Sequence, residues 1–176
     1  MNLNLSGKVA IVTGGSLGIG RAVAEAFAGE GVRVAIVARS QKALESAAAE
    51  ITQKTGVEVI AVPTDVTNSE QVDAAVNKVA AHFGRVDILV NGAAHPGGLV
   101  RTEIEHADPE GLLEDINIKV VGYMRFAKAA AAQMRKGGFG RIINIGGLTG
   151  RGSKQLSGMR NVAVVHMTKT LSDQLG

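Results

Sequence analysis

The sequence predicts an α/β protein in which helices cover both faces of a parallel sheet. Short apolar runs alternate with amphipathic stretches along the chain, and the apolar runs are continuous, as in strands that are buried on both faces. The length of 176 residues suits one domain, and 45% hydrophobic with 20% charged residues is a globular composition. We therefore expect a single domain over residues 1–176.

Five apolar runs are the expected strands. The first reads Val-Ala-Ile-Val, the second and third are rich in Val and Ile, and Pro63 ends the third. The fourth reads Val-Asp-Ile-Leu-Val and the fifth Arg-Ile-Ile-Asn-Ile. The strands are predicted at 9–12, 32–37, 57–62, 86–90 and 141–145.

Helical stretches separate these runs. Asn68 or Ser69 is a typical cap for the third helix, and the long fourth helix is expected to break and resume. The irregular stretch 146–158 lies at the carboxyl end of the fifth strand, where open α/β sheets bind ligands. The helices are predicted at 18–29, 41–54, 69–83, 109–135 and 160–175.

The composition excludes several kinds of protein and site. The chain has no cysteine, which excludes disulfides, thiolate metal sites and a cysteine nucleophile. No apolar run approaches the roughly 20 residues that span a bilayer, and the N-terminus has no basic leader region. We therefore expect a soluble, cytoplasmic protein with no membrane partner, and we predict no metal site.

Charge is unevenly distributed along the chain. Residues 1–115 hold nine Lys or Arg and 15 Asp or Glu, whereas residues 116–176 hold ten Lys or Arg and one acid, Asp173. Such asymmetry indicates an anionic partner, or acidic residues further along a longer chain. The ten cations are spread over helices, a strand and a loop with few aromatic residues between them, so no nucleic-acid partner is expected.

A glycine-rich turn joins the first strand to the first helix. Residues 13–20 read Thr-Gly-Gly-Ser-Leu-Gly-Ile-Gly. Gly14 permits a tight turn, Gly18 lets the backbone approach a pyrophosphate, and Gly20 lets helix and strand pack closely. The N-terminus of the helix then offers free N–H groups to phosphate oxygens. The alternative is an ordinary strand–helix turn, because the spacing differs from G-x-G-x-x-G.

This glycine spacing and three later motifs resemble the short-chain dehydrogenase/reductase family. Residues 89–94, Leu-Val-Asn-Gly-Ala-Ala, are similar to the family's N-N-A-G motif, with Gly92 in place of the second Asn. Asp65 followed by Val66 resembles the family's adenine-contacting Asp after strand three. Asn117 matches the helix Asn that helps to hold a proton-relay water in the family.

The resemblance covers residues 8–176 and implies a Rossmann-type, doubly wound sheet of about seven strands. Five strands are visible, so we expect the family's C-terminal strands and substrate lid to be missing. The apolar fifth strand would then form an edge, and a sixth strand is expected to be missing, swapped, disordered or supplied by a partner. The cofactor contacts that the resemblance implies are Gly14, Ser16, Gly18, Ile19, Gly20, Arg39, Ser40, Asp65, Val66, Asn91, Gly92 and Ala93.

The residues after the second strand favour NADP(H) over NAD(H). An acid at the end of that strand would accept hydrogen bonds from a ribose 2′-OH, whereas an Arg can neutralise a 2′-phosphate. The acid position is Ala38, and Arg39 and Ser40 follow it. The alternative is that Arg39 only solvates the start of the helix.

The chain departs from the family at its catalytic positions. The family's catalytic Ser corresponds to Gly147, and its Tyr-x-x-x-Lys motif corresponds to Ser157 and Asn161. A Ser hydroxyl is too weak an acid to replace Tyr directly, and Asn161 brings no charge. The residues at the catalytic positions are therefore Asn117, Ser157 and Asn161, and of these only Asn117 matches the family.

Other side chains could supply the missing acid. His95 follows the fourth strand and could titrate near neutral pH, and Tyr123 is the only tyrosine. Lys154 and Arg160 could stabilise an oxyanion. The alternative is that none of these side chains takes part in catalysis. His95 would then lie at the surface, Lys154 and Arg160 would be solvated charges on loops, and Tyr123 would pack in the core.

The sequence leaves two functions open. The first is an NADP(H)-dependent oxidoreductase of short-chain dehydrogenase type, acting on a small carbonyl or alcohol substrate through an atypical active site. The second is a non-catalytic dinucleotide-binding protein with a role in regulation or assembly. The resemblance also implies a homodimer or homotetramer, formed through the helices near 112–135 and 160–175.

Overall fold

Five parallel strands form the centre of the molecule. The computed structural model describes residues 3–100, 103–152 and 154–176. The strands are β1 (Val9–Thr13), β2 (Arg33–Ala38), β3 (Val59–Pro63), β4 (Ile88–Asn91) and β5 (Arg141–Asn144). They lie in the order β3-β2-β1-β4-β5, and each neighbouring pair is parallel. The predicted doubly wound parallel sheet is confirmed.

Helices connect these strands and cover both faces of the sheet. Ser40 and Asn68 cap the second and third helices, and each side chain accepts a hydrogen bond from the backbone N–H three residues ahead. In the described ranges, no helix combines the length and the apolar character needed to cross a membrane. The helices are α1 (Gly18–Gly29), α2 (Gln41–Thr55), α3 (Ser69–Phe83), α4 (Pro109–Ile116), α5 (Gly122–Gly137) and α6 (Gly158–Leu175).

The predicted break in the fourth helix is a change of helical pitch. Residues Asn117–Val121 form a π-helical turn between α4 and α5. A π-turn inserts an extra residue into an α-helix, and such turns are frequent at functional sites. The side chains in this segment therefore face other directions than an uninterrupted α-helix would give them.

Alternate residues of the central strands fill two apolar cores, one on each face. Val9 and Ile11 of β1 belong to the core that α3 and α5 cover, whereas Ala10 and Val12 belong to the core that α1 and α2 cover. All four are fully buried. A strand with helices on both sides needs an apolar residue at every position, which explains the continuous apolar runs.

The strand order reverses between β1 and β4. The chain passes from β1 outward to β2 and β3, and then returns to place β4 on the other side of β1. Ligands of open α/β sheets bind in the crevice at the carboxyl ends of the strands where the order reverses. Here Thr13 ends β1 and Asn91 ends β4. β5 forms one edge of the sheet, and its Ile143 is exposed.

Candidate active site

The glycine-rich turn is tightly packed at Gly14 and Gly20 and open at Gly18. Gly14 has a φ of 72°, and a Cβ there would lie 2.9 Å from the carbonyl oxygen of Gly92. A Cβ on Gly20 would lie 2.3 Å from the carbonyl oxygen of Gly14, so α1 can pack against the turn only with glycine here. Gly18 faces open space instead. An anion can therefore approach the backbone at Gly18, beside the N-terminus of α1.

The hydroxyl of Thr13 ties the end of β1 to the end of β4. Its Oγ1 accepts hydrogen bonds from the backbone N–H groups of Gly92 (3.0 Å) and Ala93 (3.1 Å). A Cβ on Gly92 would lie 2.8 Å from the carbonyl oxygen of Thr13. A side chain at position 92 would thus push the two strand ends apart, which accounts for glycine at this position.

These strand and helix ends enclose a cleft of about 680 Å³, a size typical of small-molecule sites. Two of the predicted cofactor contacts do not line it: Ser40 caps α2, and Asn91 is fully buried. The amide of Asn91 instead donates to Oδ1 of Asn144 (2.9 Å) and to the carbonyl oxygen of Tyr123 (3.3 Å), which joins β4 to β5 and α5. The predicted contacts that line the cleft are Gly14, Ser16, Gly18, Ile19, Gly20, Arg39, Asp65, Val66, Gly92 and Ala93.

The end of the cleft at β2 and β3 carries a fixed carboxylate and an exposed guanidinium. Oδ1 of Asp65 accepts hydrogen bonds from the N–H (2.9 Å) and the hydroxyl (2.8 Å) of Thr67. The backbone hydrogen bond from Thr67 holds the pKa of Asp65 below its usual range, and the charges of Arg39 and Arg125 lower it further. Arg39 is exposed, and Ala38 beside it brings no acid to this part of the cleft.

The structure places the three residues at the predicted catalytic positions outside the lining of the cleft. Asn117 has no hydrogen bond to Ser157 or Asn161 among those described. Its Oδ1 accepts a hydrogen bond from Nη1 of Arg125 (3.0 Å). Ser157 is buried, and its hydroxyl lies 3.5 Å from the carbonyl oxygen of Gly97. Asn161 is also buried, one turn further along α6.

Lys119 is the residue that the sequence reasoning missed. It lies in the π-turn, lines the cleft and is only 4% exposed. Its Nζ donates to Oδ1 of Asn161 (2.8 Å) and to the carbonyl oxygen of Gly146 (3.1 Å). The available signal was a lysine between Ile118 and Val120, because a charge within an apolar run needs a partner when it is buried.

Burial lowers the pKa of Lys119 from 10.5 to about 8. Loss of hydration is the largest cause, the charge of Arg160 adds to it, and the charge of Asp115 opposes it. The side chain is therefore an ammonium at neutral pH that gives up its proton more readily than an exposed lysine does.

The amide of Asn161 occupies the space that a side chain at position 147 would need. A Cβ on Gly147 would lie 2.6 Å from Nδ2 of Asn161. That Nδ2 donates to Oγ1 of Thr149 (2.6 Å), while Oδ1 accepts from Lys119. Gly147 and Asn161 thus accommodate each other.

A buried ion pair lies beside Lys119. Arg160 forms a salt bridge with Asp115, and its Nη1 also donates to the carbonyl oxygen of His95 (3.1 Å). The side chains of Arg160 and Asp115 are 8% and 0% exposed. Because either charge alone would be buried without compensation, the pair depends on both partners. It holds the loop after β4 against α6.

Of the other candidate acids, Tyr123 is poorly suited to donate a proton in the cleft, whereas His95 is part of the cleft lining. Tyr123 is fully buried, its hydroxyl donates to the carbonyl oxygen of Ile145 (3.2 Å), and burial raises its pKa. His95 and Lys154 are exposed on loops. No group of three or more His, Asp or Glu residues within the described ranges could hold a metal ion.

The chain matches the family model described as short chain dehydrogenase over residues 8–176. The chain belongs to the short-chain dehydrogenase family. It is 36% identical over 172 residues to the sorbitol dehydrogenase of Cereibacter sphaeroides, covering 96% of this chain and 64% of that protein. It is 35% identical over 146 residues to an uncharacterised oxidoreductase of Staphylococcus aureus, covering 83% of this chain and 61% of that protein. The chain thus spans less than two thirds of the length of these relatives.

Two solved structures of this short-chain dehydrogenase family share the fold. The L-sorbose reductase of Gluconobacter frateurii, complexed with NADPH and L-sorbose, superposes with a TM-score of 0.92 at 36% identity, covering 99% of this chain and 66% of that one. An NAD+-bound xylitol dehydrogenase superposes with a TM-score of 0.92 at 32% identity, covering 97% of this chain and 66% of that one.

Proposed function

We propose that this short-chain dehydrogenase is an NADP(H)-dependent oxidoreductase of alcohols and carbonyl compounds. The observation that carries the proposal is the glycine turn, which is closed by contacts at Gly14 and Gly20 and opens onto the cleft at Gly18. Support also comes from the relatives, which are named for sorbitol, xylitol and L-sorbose, and from the NAD+ and NADPH that the two solved relatives bind.

The residues present fit a dinucleotide. The backbone from Ser16 to Gly18 would hold the pyrophosphate, because Gly18 faces open space and α1 begins there. Asp65 and Val66 would contact the adenosine, and Gly92 and Ala93 line the cleft where β4 ends. When bound, the nicotinamide would supply or accept a hydride.

The proposed preference for NADP(H) rests on Arg39 and Ala38. Arg39 is exposed on the rim of the cleft and can pair with a 2′-phosphate, while Ala38 offers no carboxylate to a 2′-OH. We expect Arg39→Ala to weaken NADPH binding by about tenfold or more, the value of one charge-assisted contact, and to change NADH binding far less.

Fluorescence titration of NADPH and NADH measures this preference. Arg135→Ala is the matched control, because Arg135 is exposed on α5 and does not line the cleft. Tighter binding of NADH than of NADPH by the wild type, with an unchanged ratio in Arg39→Ala, would show that the assignment to NADP(H) is wrong.

A second candidate function is non-catalytic dinucleotide binding. The observation that favours it is the set Gly147, Ser157 and Asn161, which lacks the acid and the cation of the family's catalytic positions. The two functions differ in turnover: an oxidoreductase changes the nicotinamide absorbance with a panel of polyols, ketoses and simple alcohols, whereas a binding protein binds NADPH without any such change.

We also propose a homodimer or homotetramer through α5 and α6. Met159, Val162 and Val165 on α6 are 46%, 54% and 67% exposed, and their spacing of three residues places them along one side of the helix. An exposed apolar stripe of this kind is typical of an interface. Sedimentation velocity at micromolar concentration checks the proposal, and a monomer throughout would contradict it.

A further inference from the structure

A buried ammonium projects into the proposed active site from a different element than the one that carries the Tyr-x-x-x-Lys positions. Lys119 belongs to the π-turn Asn117–Val121, not to α6, where the Tyr-x-x-x-Lys positions lie. Its Nζ carries three hydrogens and donates to two oxygens, one on Gly146 and one on Asn161. Among the described residues this leaves one N–H of the ammonium for a ligand in the cleft.

The ammonium of Lys119 lies beside the position at which the family carries its catalytic lysine. Asn161 stands at the position of the family's Lys, and Nζ of Lys119 lies 2.8 Å from its Oδ1. In this contact α6 supplies the amide and the π-turn supplies the charge. Asn161 itself is held by Thr149, so the pair has a fixed geometry.

The ionisable groups that face Lys119 are buried and already engaged in contacts of their own. The ionisable groups that face Lys119 are Arg160 on α6, Asp115 on α4 and Tyr123 on α5. Arg160 and Asp115 are committed to each other, and a guanidinium does not lose its proton in proteins. Burial raises the pKa of Tyr123, so this hydroxyl is a weaker acid than usual.

We propose that Lys119 is the general acid of this active site, in place of the family's Tyr and Lys. The proposal rests on the proposed oxidoreductase function. A carbonyl carbon takes a hydride from the reduced nicotinamide of that function, so the carbonyl gains two electrons and the cofactor loses them. The C=O π electrons move to oxygen, which takes a proton from Nζ of Lys119. The products are an alcohol and a neutral amine, and water returns the proton to the amine.

Burial of Lys119 supports this role, because its pKa of about 8 lies close to neutral pH and a general acid works best under that condition. The reverse reaction follows from the same group, since the neutral amine can take the proton of an alcohol. Reduction therefore slows as the pH rises above about 8, and alcohol oxidation becomes faster over the same interval.

The test compares the full chain in five forms: wild type, Lys119→Asn, Asn161→Lys, the double exchange Lys119→Asn with Asn161→Lys, and Lys78→Asn. Lys78 is exposed on α3 and does not line the cleft, so it is the matched control. We expect Lys119→Asn to lower kcat for carbonyl reduction by about 100-fold or more, the usual value of a general acid. The double exchange should raise kcat about tenfold above that of Lys119→Asn, because it restores the contact between an ammonium and an amide with the two groups exchanged between positions 119 and 161.

A second readout does not depend on turnover. In protein with isotopically labelled lysine, one signal that is absent from Lys119→Asn should titrate near pH 8, and NADPH should shift it. The signal of Lys78 should not respond to NADPH. An unresponsive Lys119 signal, or wild-type kcat in Lys119→Asn, would overturn the assignment.

NADPH titration of the wild type distinguishes a failure of the proposed function from a failure of the proposed role of Lys119. If NADPH does not bind, the proposed function is wrong and the role of Lys119 falls with it. If NADPH binds and a carbonyl is reduced equally well by Lys119→Asn, only the role of Lys119 is wrong. Binding without turnover in the wild type also overturns that role, and it favours the non-catalytic function.

Discussion

Replacing Lys119 by methionine should change how the free energy of unfolding depends on pH. A lysine whose pKa is lower in the folded protein binds fewer protons there than in the unfolded chain, at every pH between the two values. The unfolded protein then holds the extra proton, so the free energy of unfolding rises with pH over this interval. The methionine variant has no such group and should lack this contribution.

The size of the effect follows from the two pKa values of Lys119, about 8 when folded and 10.5 as the ordinary value. Relative to Lys119→Met, the wild type should gain about 1 kcal/mol between pH 7 and pH 9, and about 2–3 kcal/mol by pH 10. Methionine also leaves the oxygens of Asn161 and Gly146 without their donor. That loss is nearly the same at each pH, so it shifts the curve without changing its slope.

Urea denaturation at pH 7, 8, 9 and 10 measures the difference. Lys78→Met is the control, because Lys78 is exposed and its loss should leave the pH dependence parallel to that of the wild type. If the difference between wild type and Lys119→Met stays constant from pH 7 to pH 10, then Lys119 does not have a lowered pKa, and the reasoning from its burial is refuted.

Two further predictions concern the fold around the cleft. Asp115→Asn should lower the free energy of unfolding by about 3–5 kcal/mol, because it leaves the charge of Arg160 buried without compensation. The control Asp173→Asn, at an exposed ion pair, should lower it by less than about 1 kcal/mol. Denaturant titrations measure both values, and equal losses would show that burial does not strengthen the dependence of Arg160 on Asp115. Gly20→Ala should abolish NADPH binding or unfold the protein, since its Cβ would lie 2.3 Å from the carbonyl oxygen of Gly14. In the control Gly29→Ala the new Cβ faces open space, so fluorescence titration should show normal NADPH binding.

The fold was predictable because its determinants are local. Continuous apolar runs specify strands that are buried on both faces, and alternate residues such as Val9 and Ala10 then belong to different cores. Gly20 was predictable for the same reason, because its Cβ would meet the nearby Gly14. The contact that requires Gly14 is instead with Gly92, far along the chain after β4. Most of the predicted cofactor contacts accordingly line one cleft.

The catalytic end of the cleft was not predictable, because long-range contacts and a change of helical pitch decide it. The π-turn sets the directions of Asn117 and Lys119, and no spacing rule for an α-helix gives them. Arg160 is paired with Asp115, which lies 45 residues earlier in the chain. The prediction of Arg160 as an oxyanion donor could not include this pairing, because no local pattern links the two residues.

Transfer of deuterium tests the proposed oxidoreductase most directly. NADPH that carries deuterium on the transferable position of its dihydronicotinamide is incubated with the protein and a panel of ketoses and simple carbonyl compounds, and the products are analysed by mass spectrometry. The account predicts an alcohol with one deuterium on the former carbonyl carbon, formed by the wild type and by the Lys78→Asn control. NADPH that binds in the cleft while no carbonyl compound receives deuterium would contradict it.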